Sequence, residues 1–342
     1  MELRTTIETL SALSGPAGME ETVREYLMGC LTPLCDTVET DAMGNVIALR
    51  RCGKPGAKKV LLDAHMDEVG LIVTGIDRGF LRFASLGGVD ARLLPATEVT
   101  VLTEPPIPGM IDTMPPHALQ AADMEKAVPM DKLVIDIGMT QSEAERAVPL
   151  GTAAAFTSRP VLLENNRLAG KSLDNRACVA IALQTLENLQ AVELPYDLYC
   201  MFSAQEELGM RGAPAGVYGI DPDYAVVLDV THGKTPDAQS VTVMDLDRGP
   251  AIGIGPNMTH AMTMALKKTA EREQIPYQME VMHGTSGTDA WPIQIARGGI
   301  ATAVLSLPLR YMHGPFEVIS LNDAQAVTDL LTAFLKDGEV TA

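Results

Sequence analysis

The pattern of apolar and polar positions changes rhythm twice along the 342 residues of this chain. Residues 3–12 and 18–32 read as helices. Apolar side chains recur at helical spacing in Val23, Tyr26, Leu27 and Cys30, and the break falls at Ser14-Gly15-Pro16. Thr37 to Asp41 alternates, Gly44-Asn45 turns and Val46 to Leu49 returns, which predicts a hairpin over 37–51. Lys58 to Ala64 is the first buried strand. From about residue 70 to 160 the pattern becomes short alternating runs parted by Gly and Pro, among them Gly70-Leu71-Ile72-Val73, Phe80-Leu81-Arg82-Phe83, Glu98-Val99-Thr100-Val101 and Leu133-Val134-Ile135-Asp136. That spacing predicts a small all-β unit. It holds one short helix over Ser142–Ala147, opened by Ser142 with Glu145 three residues later. From residue 165 helices and buried strands alternate again. A helix starts at Asp174 and runs through Leu189, strands cover Tyr196–Ser203 and Tyr224–Leu228, and a helix covers 257–273. Two further strands span Tyr277–Met282 and Gly299–Ser306, and a last helix over Asn322–Lys336 stops at Gly338. The simplest arrangement is an α/β domain made of both chain ends, residues 1–69 and 161–342, with residues 70–160 inserted as the β-rich unit.

Composition narrows the class. A hydrophobic share of 46% in a chain of this length supports a large core, and no apolar run approaches a membrane span. The start, Met-Glu-Leu-Arg, has no apolar stretch of the secretory kind. Five scattered cysteines form no CxxC or CxxH pattern, so buried free thiols and a cytoplasmic setting are expected. The net charge of −18 argues against a nucleic-acid partner, which requires a basic footprint. Aromatic residues make up only 4% of the chain, too few to furnish a carbohydrate-stacking groove.

The candidate chemistry gathers where apolar runs end. Val60-Leu61-Leu62-Asp63-Ala64-His65 is followed by Asp67, and residues i and i+2 of an extended chain share a face. A ligating imidazole usually donates its second N–H to an acceptor, so Asp67 can orient His65. The bland reading is a polar strand end with a turn-forming Asp. Asp174 begins a helix, where Asp is a favoured cap. Glu206 and Glu207 follow a buried strand; in a solvated loop they mean little, yet two adjacent carboxylates repel unless a cation binds. Asp229 ends Val226-Val227-Leu228-Asp229, and His313 sits before Gly314-Pro315, a setting typical of a surface loop. Together they are harder to dismiss. Ligands of open α/β sheets bind at the carboxyl ends of the strands. Two histidines among carboxylates form the N/O donor set that suits zinc, cobalt or manganese, and such sites often hold two metal ions clamping the attacking and leaving oxygens. One glutamate left uncoordinated can then act as general base.

These segments resemble the dinuclear metalloaminopeptidases of the tetrahedral, dodecamer-forming type, peptidase family M42, which includes glutamyl and deblocking aminopeptidases. The resemblance rests on Asp63-Ala64-His65-Met66-Asp67-Glu68-Val69-Gly70, Leu173-Asp174-Asn175-Arg176, Gln205-Glu206-Glu207-Leu208-Gly209, Leu228-Asp229-Val230-Thr231, Gly287-Thr288-Asp289-Ala290 and Leu307-Pro308-Leu309-Arg310-Tyr311-Met312-His313, in the family's order over nearly the whole chain. It implies a three-layer, mixed-sheet α/β metallopeptidase domain with an inserted, small, β-barrel-like dimerisation domain, which Pro115-Pro116-His117 also resembles. It implies two divalent metal ions per subunit. His65 and Asp229 would hold one, Glu207 and His313 the other, and Asp174 would bridge them. Glu206 would be the general base on the bridging water, Asp67 would orient His65, and Asp289, Arg310 and Tyr311 would line the substrate pocket. The activity implied is removal of N-terminal residues from short peptides by a homo-oligomer of dimers, up to a dodecamer. His232, three residues after Asp229, could approach the site but reads first as a loop histidine; His283 is expected in a Gly-rich loop, His117 in a structural or interfacial place, and His260 on a helix as a non-ligand. Gly314 and the Thr-His after Asp229 depart from the commoner family variants and bear on specificity. Two rivals remain: a glycoside hydrolase, since some relatives carry endoglucanase labels and paired carboxylates permit that chemistry, and an N-acyl amide hydrolase. A binding protein without activity would lack Glu206 or a ligand, and both are present.

Overall fold

The computed structural model describes residues 2–115, 117, 126–236, 238, 243–338 and 340. Three strands lie before the insert: β1 (Thr37–Thr40), β2 (Val46–Arg50) and β3 (Lys59–His65). Six make up the insert: β4 (Gly70–Asp77), β5 (Phe80–Leu86), β6 (Thr97–Val101), β7 (Ile107–Asp112), β8 (Val134–Asp136) and β9 (Ala153–Phe156). Eight follow: β10 (Val161–Leu163), β11 (Arg167–Gly170), β12 (Asp197–Ser203), β13 (Tyr224–His232), β14 (Ala251–Ile254), β15 (Gln278–Val281), β16 (Ala301–Arg310) and β17 (Glu317–Ser320). The helices are α1 (Leu3–Ala12), α2 (Glu21–Leu31), α3 (Gln141–Ala147), α4 (Leu173–Asn188), α5 (Gly212–Ile220), α6 (His260–Arg272), α7 (Ala290–Gln294) and α8 (Leu321–Lys336).

An 11-stranded sheet runs in the order β1-β2-β12-β3-β13-β16-β17-β11-β10, with β14 on β16 and β15 on β14. Its centre, β12-β3-β13-β16, is parallel. Central parallel strands are covered on both faces, which explains their near-continuous apolar runs. The pleat divides each strand between two layers. Val60, Leu62, Ala64, Val226 and Leu228 pack with α1, α2, α4, α6 and α8. Leu61, Ala225, Val227 and Met201 pack with α5 and α7 on the other face. Helix α4 is buried almost all round, because Ala177 to Leu183 offers no polar stripe. The product is a three-layer mixed α/β domain.

The insert closes into a barrel in the order β4-β5-β8-β7-β6-β9. Leu71, Val73, Leu81, Val99, Val101, Ile111, Ile135 and Phe156 fill it as a separate core. The expected cap of its helix shifts by two residues. Helix α3 begins at Gln141, and Glu143 accepts from both the backbone N–H and the hydroxyl of Thr140, at 2.9 and 2.6 Å. Thr140 with Glu143, not Ser142 with Glu145, is the capping box. Of Pro115-Pro116-His117, Pro116 lies outside the described residues and His117 is exposed. No helix among the described residues is long and apolar enough to cross a membrane.

Candidate metal centre

The parallel register brings the strand ends together. β3 pairs with β12 on one side, Ser203 opposite His65, and with β13 on the other, Val227 opposite Asp63. His65 is the last residue of β3, and Glu206 and Glu207 stand three and four residues beyond the end of β12. Asp229 differs from expectation: β13 does not end there but continues to His232, because β16 also continues, to Arg310, and pairs with it throughout. His313 lies in the turn between β16 and β17, so the strand before it is not the last. Asp174 is not a helix cap either. Ser172 holds that position, and Asp174 and Asn175 have non-helical dihedrals inside the first turn of α4, with a cis peptide between them.

Asp174 stands between the two imidazoles. Its Oδ1 is 3.1 Å from His65 Nε2, and its Oδ2 is 3.4 Å from His313 Nε2. His65 Nε2 also approaches Asp229 Oδ1 at 3.8 Å, and His313 Nε2 approaches Glu207 Oε2 at 3.4 Å. Two donor groups follow, His65-Asp174-Asp229 and Asp174-Glu207-His313, sharing one carboxylate; a third, His65-Glu206-Glu207, overlaps both.

Each donor is held from behind. His65 Nδ1 lies 3.5 Å from Asp67 Oδ1. Both Asp67 oxygens also accept backbone N–H groups, from Glu206 at 2.9 Å and Glu207 at 3.1 Å. Asp67 therefore fixes the Glu206-Glu207 turn as well as facing the imidazole. The buried Glu317 accepts the N–H of Asp174 through one oxygen and that of His313 through the other, both at 2.9 Å. His313 Nδ1 faces the Gly88 carbonyl at 3.1 Å, so the loop after β5 of the barrel sets this ring. Arg176, fully buried, donates to the carbonyls of Met66 at 2.5 Å and Leu10 at 2.9 Å. Lys171 donates to Glu68 at 2.7 Å. These contacts tie the His65–Glu68 segment to the start of α4.

The electrostatics ask for cations. Burial, together with Asp229, Asp289 and Glu207 and against the pull of His65, pushes the Glu206 carboxyl up to about 10. Burial and the nearby Asp174 push Glu207 up to about 8, and burial raises Asp229 well above its usual value. Asp174 goes the other way: burial would raise it, but hydrogen bonds from His313 and His65 hold it below the usual carboxylate range. Burial lowers His313, yet Asp174 and Glu207 outweigh it and lift the imidazole to about 9. The carboxylates cannot all stay ionised here without added positive charge. With two imidazole nitrogens facing them, the donors fit borderline divalent ions such as zinc, cobalt or manganese.

The three expected pocket residues fall elsewhere. Asp289 is buried at 1% exposure, outside the lining of the donor cavity; Ser203 donates to it at 2.5 Å and it faces the buried Asp63. Arg310 donates to the carbonyl of Lys234 at 2.6 Å. Tyr311, 53% exposed, lines a separate cavity with Leu93, Val161 and Phe316. The cavity that holds the donors is lined instead by Thr231, His232, Glu280, Met282 and Ser306 among others. His232 thus reaches the site from the end of β13, whereas His283 is exposed outside that lining. Sequence reasoning missed Glu280, Glu317 and Gly88. Glu280 and Glu317 are single carboxylates inside apolar runs, a weak but real signal; Gly88 carried none.

A family model described as M42 glutamyl aminopeptidase matches residues 44–330. A lysyl aminopeptidase of Pyrococcus furiosus is 34% identical, covering 94% of both chains. The structure of an aminopeptidase from the archaeon Desulfurococcus kamchatkensis superposes with a TM-score of 0.91 at 33% identity, over 98% of this chain and 95% of that one. The TET1 peptidase of Pyrococcus horikoshii, described as assembling into a tetrahedron or a large octahedral shell, gives 0.87 at 30% identity, over 98% and 99%. With that match over most of its length, the chain belongs to the M42 glutamyl aminopeptidase family and is a metal-dependent aminopeptidase.

Proposed function

We propose that the enzyme removes N-terminal residues from short peptides at a centre built for two divalent ions. His65 and Asp229 would hold one, Glu207 and His313 the other, and Asp174 both. The observation that carries this reading is the division of the Asp174 oxygens between His65 and His313. When bound, such ions supply Lewis-acid polarisation of the scissile carbonyl and lower the pKa of attacking water. Glu206 is the carboxylate left over. Its buried position beside the donors suits it to take the proton of the attacking water and return it to the leaving nitrogen. Asp67 holds Glu206 for this by accepting its backbone N–H, and the walls of a cavity of about 200 Å³ confine the substrate end.

Two coarser features extend the reading. The barrel would carry a contact between copies: Phe80 and Met114, 38% and 56% exposed, line a groove of about 860 Å³ on its outer side. Assembly into a dodecamer would follow the shells of the structural relatives. Five free cysteines, two of them buried, suit a reducing compartment such as the cytoplasm.

The test compares free and N-acetylated peptides after reconstitution with zinc, cobalt or manganese, before and after chelation. Cleavage of free peptides alone, lost on chelation and restored by metal, is the expected result. Preference for the acetylated series would support an N-acyl hydrolase. Glycan cleavage surviving complete metal removal would support a glycosidase, a chemistry in which the two histidines have no part.

A further inference from the structure

One carboxylate in the cavity belongs to none of the three donor groups. Glu280, on β15, lines the same cavity as His65 and His313. Ser306 stands opposite Asp229 in the β13–β16 register, and Thr231 lies two residues beyond Asp229 on β13. Both donate hydroxyl hydrogen bonds to Glu280, at 2.9 and 2.5 Å, one to each carboxylate oxygen. Burial raises the Glu280 carboxyl, while the two hydroxyl donors and His232 pull it back down; the paired hydroxyls leave its oxygens able to accept further, and a substrate cation would favour the ionised form. Among the described residues no lysine or arginine lines this cavity, and His232 is the imidazole nearest in effect to Glu280. Met282, just past the end of β15 and two residues on from Glu280, lines the same cavity and offers an apolar wall there. A carboxylate at the end of a short apolar wall matches a long side chain with methylenes and a terminal cation.

We propose that Glu280 selects substrates whose first residue carries a cationic side chain, lysine or arginine, by pairing with that cation one strand step beyond Asp229. This rests on the aminopeptidase reading of the site. The same carboxylate disfavours glutamate and aspartate at that position, because like charges in a confined cavity repel. The preference differs from the acidic one in the family's description and agrees with the name of the lysyl aminopeptidase relative; Glu280 is the residue inferred to set it.

The test uses lysyl, norleucyl and glutamyl amides with the metal-reconstituted enzyme; norleucine keeps the methylenes of lysine and lacks its ammonium. The expected wild-type kcat/KM for lysyl exceeds that for norleucyl by about tenfold or more, and Glu280→Gln collapses that ratio by a similar factor. Glu280→Lys turns the preference toward glutamyl. Calorimetric titration with free L-lysine and L-norleucine reads the same selection without turnover: L-lysine binds more tightly to the wild type, and the difference disappears in Glu280→Gln. A wild type that favours norleucyl or glutamyl amides overturns the proposal. So does a Glu280→Gln variant that loses lysyl and norleucyl turnover equally, since that pattern marks an anchor for the α-amine or a packing role. Failure of every amide to be cleaved, with selective L-lysine binding intact, sinks the aminopeptidase reading and leaves the selection of cations standing.

Discussion

At the scale of single residues, the proposed centre separates groups that would hold metal from one that would move a proton. Glu206→Gln keeps the shape of the side chain and its N–H bond to Asp67 but removes the base. The expected result is bound metal close to wild type with kcat lower by about 10²–10⁴-fold; elemental analysis beside steady-state kinetics checks it, and near-normal turnover refutes the assignment. Asp174→Ala removes the carboxylate shared by His65 and His313, so occupancy of both metals should fall together. Loss of neither would show that Asp174 does not bridge. Glu317 is the subtler case. It touches no reacting group, yet it receives the N–H of Asp174 and of His313, and His313 adopts a left-handed backbone with φ of 62°. Glu317→Ala frees both segments, and metal affinity should weaken by about 10–100-fold. Competition with a fluorescent chelator measures that change directly.

At the scale of elements, the strand ends of the site were legible in the sequence and, Asp67 apart, the devices that brace them were not. His65, the Glu206-Glu207 pair, Asp229 and His313 could be placed because each stands at or just past a buried apolar run, and buried parallel strands advertise themselves by composition. The limits of β13 and β16 were misjudged because Asp229 and Ser306 resemble strand ends, whereas the ladder overrides them through His232 and Leu309. Asp174 looked like a cap; its orientation depends on non-helical dihedrals that no propensity predicts. The pocket roles of Arg310 and Tyr311 came from motif resemblance, and neither residue is among those lining the cavity that holds the donors. The bracing of Glu68 by Lys171 and Arg176 needed two segments far apart in sequence to meet. Burial raises the Glu68 carboxyl, but Lys171 and Arg176 outweigh it and hold it below 4.5. A folded-state pKa below the unfolded one contributes stability at neutral pH that is lost as pH falls through the folded value. Glu68→Gln should therefore cost about 3–5 kcal/mol at pH 7, because Lys171 stays buried without its charge partner. The variant's stability should also fall less steeply than the wild type's under acid. Urea titrations at pH 7 and pH 4 compare the two.

At the scale of the molecule, the barrel is joined to the α/β domain in a way that makes its removal informative. It enters at Gly70 and leaves after Phe156, and Leu71 pairs with Ala154, so its two ends are neighbours. A short linker can replace residues 71–155 without stretching the host, whose core contains none of the barrel's residues. Far-ultraviolet circular dichroism should then still report a folded α/β domain. Light scattering should report a smaller assembly than the full chain, since the exposed groove beside Phe80 and Met114 is gone; an unchanged mass would place the contact between copies elsewhere. A second loss follows from one hydrogen bond. The Gly88 carbonyl is the acceptor facing His313 Nδ1, and a Cβ at Gly88 would sit 2.7 Å from that nitrogen. Deletion of the barrel removes this acceptor, and Gly88→Ala displaces the ring while leaving the barrel and the assembly in place. Both should weaken metal binding, by about tenfold or more. If Gly88→Ala binds metal as the wild type does, the barrel serves contacts between copies alone. If it weakens binding while scattering stays unchanged, the inserted domain is part of the metal centre itself.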